Sequence, residues 1–415
     1  MRIKHFVFIC FVTANLYSAD WVMLQGIQNK PGHYPWGFLQ IRYEQNYGEK
    51  AIIHGINKAP FSYIKPTLQK QSELQIARAR LGIRGSFCEA NNINYFILTE
   101  VAQNGVNNPL GEYTPTYLTD ASLTFKYLPI YLRVGKFKYA GSEEGQMARF
   151  VSPFINFSNV GNQLMLERFV SSTLSKPIQG VGAYRDTGLQ LFKKYSFGNQ
   201  NALTLSYMLG NGSGTSNTNI NNNNFTHYGY VSYEKTLGDS KGYHQESLKL
   251  YTWMQVGKRL LNNELYNRDR YGAGFTYFDN DLRIEGEYMQ GSGMIVSGVK
   301  DNSNDENIND WVYSMSPSYK NKANGYYLLS TYEFFKDTEI IARYDVYNRL
   351  TNDNTNYRKF ETITSGISYK FHNYNRVDIN YAFNKIRAPK NHTADTFLDS
   401  KVGNILNIQF TMLIK

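Results

Sequence analysis

The sequence predicts an all-β chain: a transmembrane antiparallel β-barrel of about sixteen strands, with its long third extracellular loop folded into the lumen. Three observations predict it. Stretches of about ten residues in which apolar and polar positions alternate run along nearly the whole chain. Tight turns and long polar connections take turns between them. The composition also suits strands, with 34 Tyr, 25 Phe and 11 Pro, and charged residues at only 19%.

The first residues form a separate unit. MRIKH is basic, FVFICFV is apolar, and LYSAD offers a cut after Ala19, the pattern of an export signal. The alternative is an uncleaved anchor helix, but the apolar run falls short of the roughly 20 residues that a span needs. Residues 1–19 are therefore expected to be a cleaved signal and residues 20–415 a single barrel. Cys10 lies inside the signal, which leaves Cys88 and no internal disulfide. No later apolar run is long enough for a membrane helix. The mean hydropathy of −0.47 fits a barrel, in which alternation hides the membrane-facing band from the average.

The strands follow in order: approximately 36–46, 73–85, 93–102, 119–127, 130–138, 185–195, 201–210, 226–236, 246–258, 270–278, 281–291, 323–334, 338–348, 357–371, 374–386 and 403–414. In 119–127, Ala121, Leu123, Phe125 and Tyr127 share one face and Asp120, Ser122, Thr124 and Lys126 the other. Leu203, Leu205, Tyr207 and Leu209 repeat the pattern, as do Val377, Ile379, Tyr381 and Phe383. Turns at 127–130, 278–281, 335–339 and 371–374 are tight; those at 47–70, 103–118, 139–184, 211–225, 259–269, 292–322, 349–356 and 387–401 are long. A soluble sandwich would not sort its connections this way and uses fewer strands. A closed barrel leaves no edge, which hydrocarbon demands.

The strand LQIARARLGIRG puts Arg78, Arg80 and Arg84 on one face and Ala77, Ala79, Leu81 and Ile83 on the other. An arginine turned toward lipid at mid-membrane costs about 2–4 kcal/mol. The three arginines are thus expected inside and the apolar residues outside. Two and then four residues apart on one face, always-ionised guanidiniums make a track for carboxylate or phosphate oxygens. The competing expectation is that they pair with Glu100 and Asp120 and stiffen the wall. Arg133, Arg283 beside two glutamates, and Arg343 beside Asp345 add mixed charge to the same face.

The connection 139–184 is longer than any connection needs to be. It carries the apolar segments FVSPFINF and LMLERF. Folding inward would bury them and narrow the lumen; packing outward as a subunit latch is the alternative. Lys136, Lys138, Arg149, Arg168 and Lys176, with Glu143, Glu144 and Glu167, are the candidates to line the narrowing.

The segments IARARLGIRG, LRVGKFKYAGSEEG, YRDTGLQL, LSYMLGNGSG and IARYDVYN, in this order, resemble the phosphate-selective porin O and P family of Gram-negative outer membranes. The resemblance implies a sixteen-stranded homotrimer in that membrane, with a constriction formed by the third loop. It places Arg78, Arg80, Arg84, Arg133, Lys136 and Lys138 on an anion pathway. Members differ in selectivity, so phosphate is a candidate solute and no more. The chain departs from the pattern at its end, Lys415, where such barrels finish on an aromatic residue; Phe410 lies a few residues inside.

Three function classes remain to weigh. Passive diffusion of small hydrophilic solutes, anions preferred, uses the whole pattern. A surface adhesin or structural protein would use the barrel as an anchor and display the Asn-rich stretch 211–224. An enzyme is not expected: no G-x-S-x-G, H-E-x-x-H or P-loop occurs, and the histidines at 33, 54, 227, 244, 372 and 392 do not pair. Neither a cofactor nor a metal is expected. The net charge is +10, or 42 − 34 = +8 after the signal, and the basic residues are interleaved, which argues against nucleic acid. A plugged siderophore-type barrel needs about 22 strands.

Overall fold

Alternation along the chain becomes alternation across a wall. The computed structural model describes residues 32–414 apart from 49, 54–56, 61–71, 89–92, 103–115, 168–183, 199, 215–222, 239–244, 262, 298–313, 373–374 and 390–401. The expected signal at 1–19, Arg168, Lys176 and Lys415 lie outside the described residues.

Sixteen strands close into one antiparallel barrel. They are β1 Gly32–Asn46, β2 Ser72–Cys88, β3 Ile93–Glu100, β4 Tyr117–Phe125, β5 Tyr131–Lys138, β6 Arg185–Phe197, β7 Asn201–Gly210 and β8 Thr226–Thr236. The second half is β9 Ser247–Leu261, β10 Glu264–Asp279, β11 Leu282–Ser292, β12 Lys322–Phe335, β13 Thr338–Arg349, β14 Arg358–His372, β15 Asn375–Arg387 and β16 Ile405–Ile414. Each strand pairs with its sequence neighbour, and β1 closes the cylinder on β16, Gly37 opposite Ile414. Two short hairpins, Lys50–Ile53 with Asn57–Pro60 and Ile295–Ser297 with Ser314–Ser316, stand apart from the barrel.

The exposed positions of the strands are largely apolar and the buried ones carry many polar and charged side chains, the reverse of a protein folded in water; buried aromatics such as Tyr228, Trp253 and Tyr327 lie among them. On β15, Ile379 and Phe383 are exposed while Arg376, Asp378 and Asn380 are buried. On β16, Ile408 and Phe410 are exposed while Asn407, Gln409 and Thr411 are buried. Such an outer surface has hydrocarbon as its natural solvent, and closure satisfies every strand edge there. Exposed Tyr127, Tyr195, Phe197, Phe335 and Phe371 sit where strands meet the tight turns, the place of an interfacial aromatic girdle.

The tight turns depend on left-handed backbone. Asn280 (φ 50) turns β10 into β11, and Asp337 (φ 64) turns β12 into β13, a conformation that Asn and Asp tolerate best among residues with a Cβ. Gly135, inside β5, is more restricted. Its φ is +118, and a Cβ there would lie 2.1 Å from the Ala121 carbonyl oxygen of β4. Gly135→Val is therefore expected to lose the folded barrel, since strain of about 1–3 kcal/mol adds to a direct clash with the ladder. Loss of the heat-modifiable band on a semi-native gel would report it.

Two expectations are corrected. Ala77, expected to face lipid, is buried at 3% exposure. β2 carries a bulge there: Arg78 pairs with Gln40 but Ile76 with Ile41, so Ala77 is left over and the faces change phase. Leu74 and Ile76 are exposed before it, and Leu81, at 53%, after it. The stretch 259–269, expected to be a long loop, is largely strand: β9 runs on to Leu261 and β10 begins at Glu264. Within it Arg259 and Arg268 are buried in ion pairs with Glu167.

Candidate functional site

The buried positions of β1, β2, β5 and β6 carry Arg42, Arg78, Arg80, Arg133, Lys136, Lys138 and Arg185. Across the barrel, β11 carries Glu285 and Glu287. The Tyr327 hydroxyl of β12 lies 2.6 Å from Glu285 Oε1 and 2.8 Å from Glu287 Oε2. Trp253 of β9 donates its indole N–H to Glu287 at 2.7 Å. Both arcs of the inner face also carry the opposite charge: Glu44, Glu100, Asp120 and Asp186 are buried on the first, and Lys249, Arg270, Arg283 and Arg343 on or near the second.

The segment 139–167 runs between these arcs. It forms a short helix, α1 (Glu143–Gln146), and one π-helical turn (Gly161–Met165). Its apolar residues Phe154, Ile155, Val160, Leu164, Met165 and Leu166 are buried. Its polar groups bond to buried positions of strands far apart around the cylinder. Ser142 donates to Glu287 (2.9 Å), and Lys249 of β9 pairs with Glu143 (2.7 Å). Arg343 of β13 donates to the carbonyl oxygens of Asn156 (3.0 Å) and Phe157 (3.2 Å) and pairs with Glu144 (3.2 Å). Asn159 donates its backbone N–H to Asp345 (2.8 Å). Asn380 of β15 accepts from the Ile155 N–H (2.9 Å), and Arg376 donates to the carbonyl oxygens of Val151 and Ser152. At the far end Glu167, left-handed at φ 48, takes guanidiniums from Arg259 (2.5 Å), Arg268 (2.5 Å) and Arg270 (2.8 Å). Burial pushes the Glu167 carboxyl up, but these three cations outweigh it and hold it below the usual carboxylate range.

The expected site residues divide by partner. Arg80 pairs with Glu100 at 2.8 Å, so this rung of the ladder is neutralised. Asp120 pairs instead with Arg185 of β6, at 2.9 Å. Arg78 has no carboxylate within ion-pair distance among the described residues; it donates to Gln40 at 2.8 Å. Arg84 is only half-buried, and its guanidinium carbon sits 5.7 Å from the Trp36 ring. Arg133 donates to Thr124 at 3.0 Å and lies over Phe137 and Phe192. Lys136 is buried, and Lys138 donates to the carbonyl oxygens of Gly145 (2.9 Å) and Met147 (3.1 Å). Arg149 donates to Phe154 (2.5 Å) and Ile155 (3.0 Å) and lies 4.3 Å from the Phe157 ring. Arg343 is committed to the loop and to Asp345.

Arg78 and Arg149 meet at Gln40, whose amide donates to the Arg149 carbonyl oxygen at 3.1 Å. Arg42, a residue the strand pattern did not single out, joins them: it donates to Asn156 of the loop (3.3 Å) and to Gln409 (3.4 Å), with Glu44 3.8 Å away. Among the described residues no atom accepts from the Nε–H of Arg42, Arg78 or Arg149. Burial drives the Arg149 guanidinium down to about 10; Glu144 raises it, and Arg42, Arg343 and Arg376 lower it further. Arg42 stands in phase with Gln40 and Glu44 in GFLQIRYEQ, and that alternation is the signal that locates it.

This barrel has the shape of known porins. An anion-selective porin from Comamonas acidovorans superposes with a TM-score of 0.55 at 11% identity, over 93% of this chain and 99% of that one. OmpF of Salmonella typhi, in a complex with daunomycin, gives 0.55 at 12% identity, over 93% and 98%. OmpT, an outer membrane protein of Vibrio cholerae in its trimer form, gives 0.51 at 12% identity, over 92% and 99%. At these identities the likeness establishes the fold. No protein-family model matches the sequence, and no curated protein does.

Proposed function

We propose that the chain is an outer-membrane porin that passes small hydrophilic solutes by diffusion and prefers anions. The observation that carries this reading is the cluster of Arg42 and Arg78 from the wall and Arg149 from the loop 139–167, three buried cations with amides and backbone carbonyls as their main partners. Guanidinium charge survives burial, and fixed cations at a narrowing raise the local anion concentration. Folded inward, the loop makes that narrowing. Arg80, Arg84, Arg133, Lys136, Lys138, Arg168 and Arg343 complete the basic side of the pathway in this reading. The resemblance to the O and P porins makes phosphate the first anion to try and a homotrimer the expected assembly. Residues 1–19 serve as the export signal.

Purified protein in a planar bilayer is expected to give stepwise conductance, and a salt gradient a reversal potential displaced toward the anion value. A displacement toward the cation value would remove the anion preference; no conductance would remove the pore.

A further inference from the structure

The arginine face of β2 is interrupted by Gly82, and the neighbouring strand fills the gap. Gly82 pairs with Trp36 of β1, between the pairs Phe38–Arg80 and Tyr34–Arg84. A Cβ at Gly82 would meet the Ile97 carbonyl oxygen at 2.5 Å, so this rung stays empty. The Trp36 ring lies 6.0 Å from Phe96 of β3 and 6.2 Å from Phe38, each at 20°. Phe150 of the loop packs 5.9 Å from Trp36 and 5.4 Å from Phe38. Arg84 and Arg80 hold their guanidinium carbons 5.7 Å and 5.5 Å from the Trp36 and Phe38 rings.

Phe38 and Phe96 are fully buried and form the floor of this shelf. Trp36, Phe150 and Arg84 are half-buried and form its open edge. Two donors there are unused. Trp36 Nε1 and Arg84 Nε are both buried, and no described atom accepts from either. Buried indole N–H groups normally find a partner, and an orphaned donor beside a lone guanidinium is suited to a carboxylate oxygen. The Trp36 and Phe150 rings, each only half-buried, suit contact with an aromatic ring.

We propose that Trp36, Phe150 and Arg84 form a subsite for small aromatic carboxylates, a reading that rests on the porin function for the solute's route of access. The ring stacks on Trp36 and Phe150, and the carboxylate accepts from Trp36 Nε1 and the Arg84 guanidinium. Single channels recorded in KCl test it with benzoate, acetate and neutral benzamide as probes. Benzoate is expected to block at roughly three- to tenfold lower concentration than acetate or benzamide, the range that one added ring contact supplies. Trp36→Leu should erase the difference between benzoate and acetate, and Arg84→Gln the difference between benzoate and benzamide.

Tryptophan fluorescence of the detergent-folded protein reads binding without conduction. Benzoate should quench the wild type more than Trp36→Leu. Quenching that depends on Trp36 in a protein that does not conduct would keep the subsite and remove the pore. Conductance with acetate and benzoate equally effective, or a benzoate response unchanged in Trp36→Leu, would overturn the subsite and keep the pore.

Discussion

A protein in which Arg42, Arg78 and Arg149 are all replaced by Gln is expected to have a permeability ratio shifted toward cations. Most other inner-face arginines already have a carboxylate. Arg80 has Glu100, Arg185 has Asp120, Arg343 has Asp345 and Glu144, and Arg376 has Asp378. Such pairs present little net field to a passing ion. Arg78 and Arg149 lack a close carboxylate among the described residues, and Arg42 has only Glu44 at 3.8 Å. The triple variant removes three charges from one place and leaves every inner-face acid. Potentials of several kT change local ion concentrations by about tenfold or more, so the permeability ratio should move by roughly that factor toward cations. Gln keeps hydrogen-bonding capacity toward Gln40, Asn156 and the loop carbonyls, so the barrel should still fold. A reversal potential identical to wild type in a folded variant would make the cluster structural. Arg80→Gln is the contrast: it exposes the Glu100 charge, and its shift reports a released acid as much as a lost base.

The wall was legible in the sequence because each strand meets two unlike environments. Period-2 alternation locates 201–210 and 226–236 at the residues where β7 and β8 begin and end. It fails at 259–269 for a physical reason. The buried face there holds Arg259 and Arg268, with Arg270 just beyond, and five charged residues in the twelve from 259 to 270 read as loop until the arginines' common partner is known. That partner, Glu167, is about a hundred residues away in the chain, and no local pattern carries such a pairing. The bulge at Ala77 is equally silent, because one extra residue in a ladder leaves no mark in composition. The arginine face itself was legible; which of its members lack a carboxylate was not. Arg80 and Arg78 are alike in sequence and differ only in that Glu100 stands opposite the first.

Glu167→Gln is expected to loosen the loop 139–167 at its far end and to raise conductance at neutral pH. The three guanidiniums that meet at Glu167 have no other carboxylate within ion-pair distance among the described residues. Neutralising it leaves three buried like charges to repel one another. Breaking a buried ion pair by removing one partner costs about 3–5 kcal/mol, a large share of a domain's typical stability of about 5–15 kcal/mol. The remaining ties, Ser142 to Glu287 and Asn159 to Asp345, hold the middle of the loop, and at this end the hydrogen bond from Arg270 Nε to the Leu164 carbonyl oxygen (3.1 Å) is left. The same charge change can be made with acid. The folded Glu167 pKa lies below its ordinary value. Its contribution is therefore complete above the unfolded value of about 4.3 and is lost as pH falls through the lower folded value. Wild-type conductance should then be steady from neutral pH down to about 4 and rise below that, whereas the Gln variant should already show the higher level at neutral pH. Single-channel recordings across that range, with limited proteolysis of the loop in parallel, check both halves. Equal conductance and equal cleavage for the two proteins would mean that the clamp braces the wall and leaves the loop where it is.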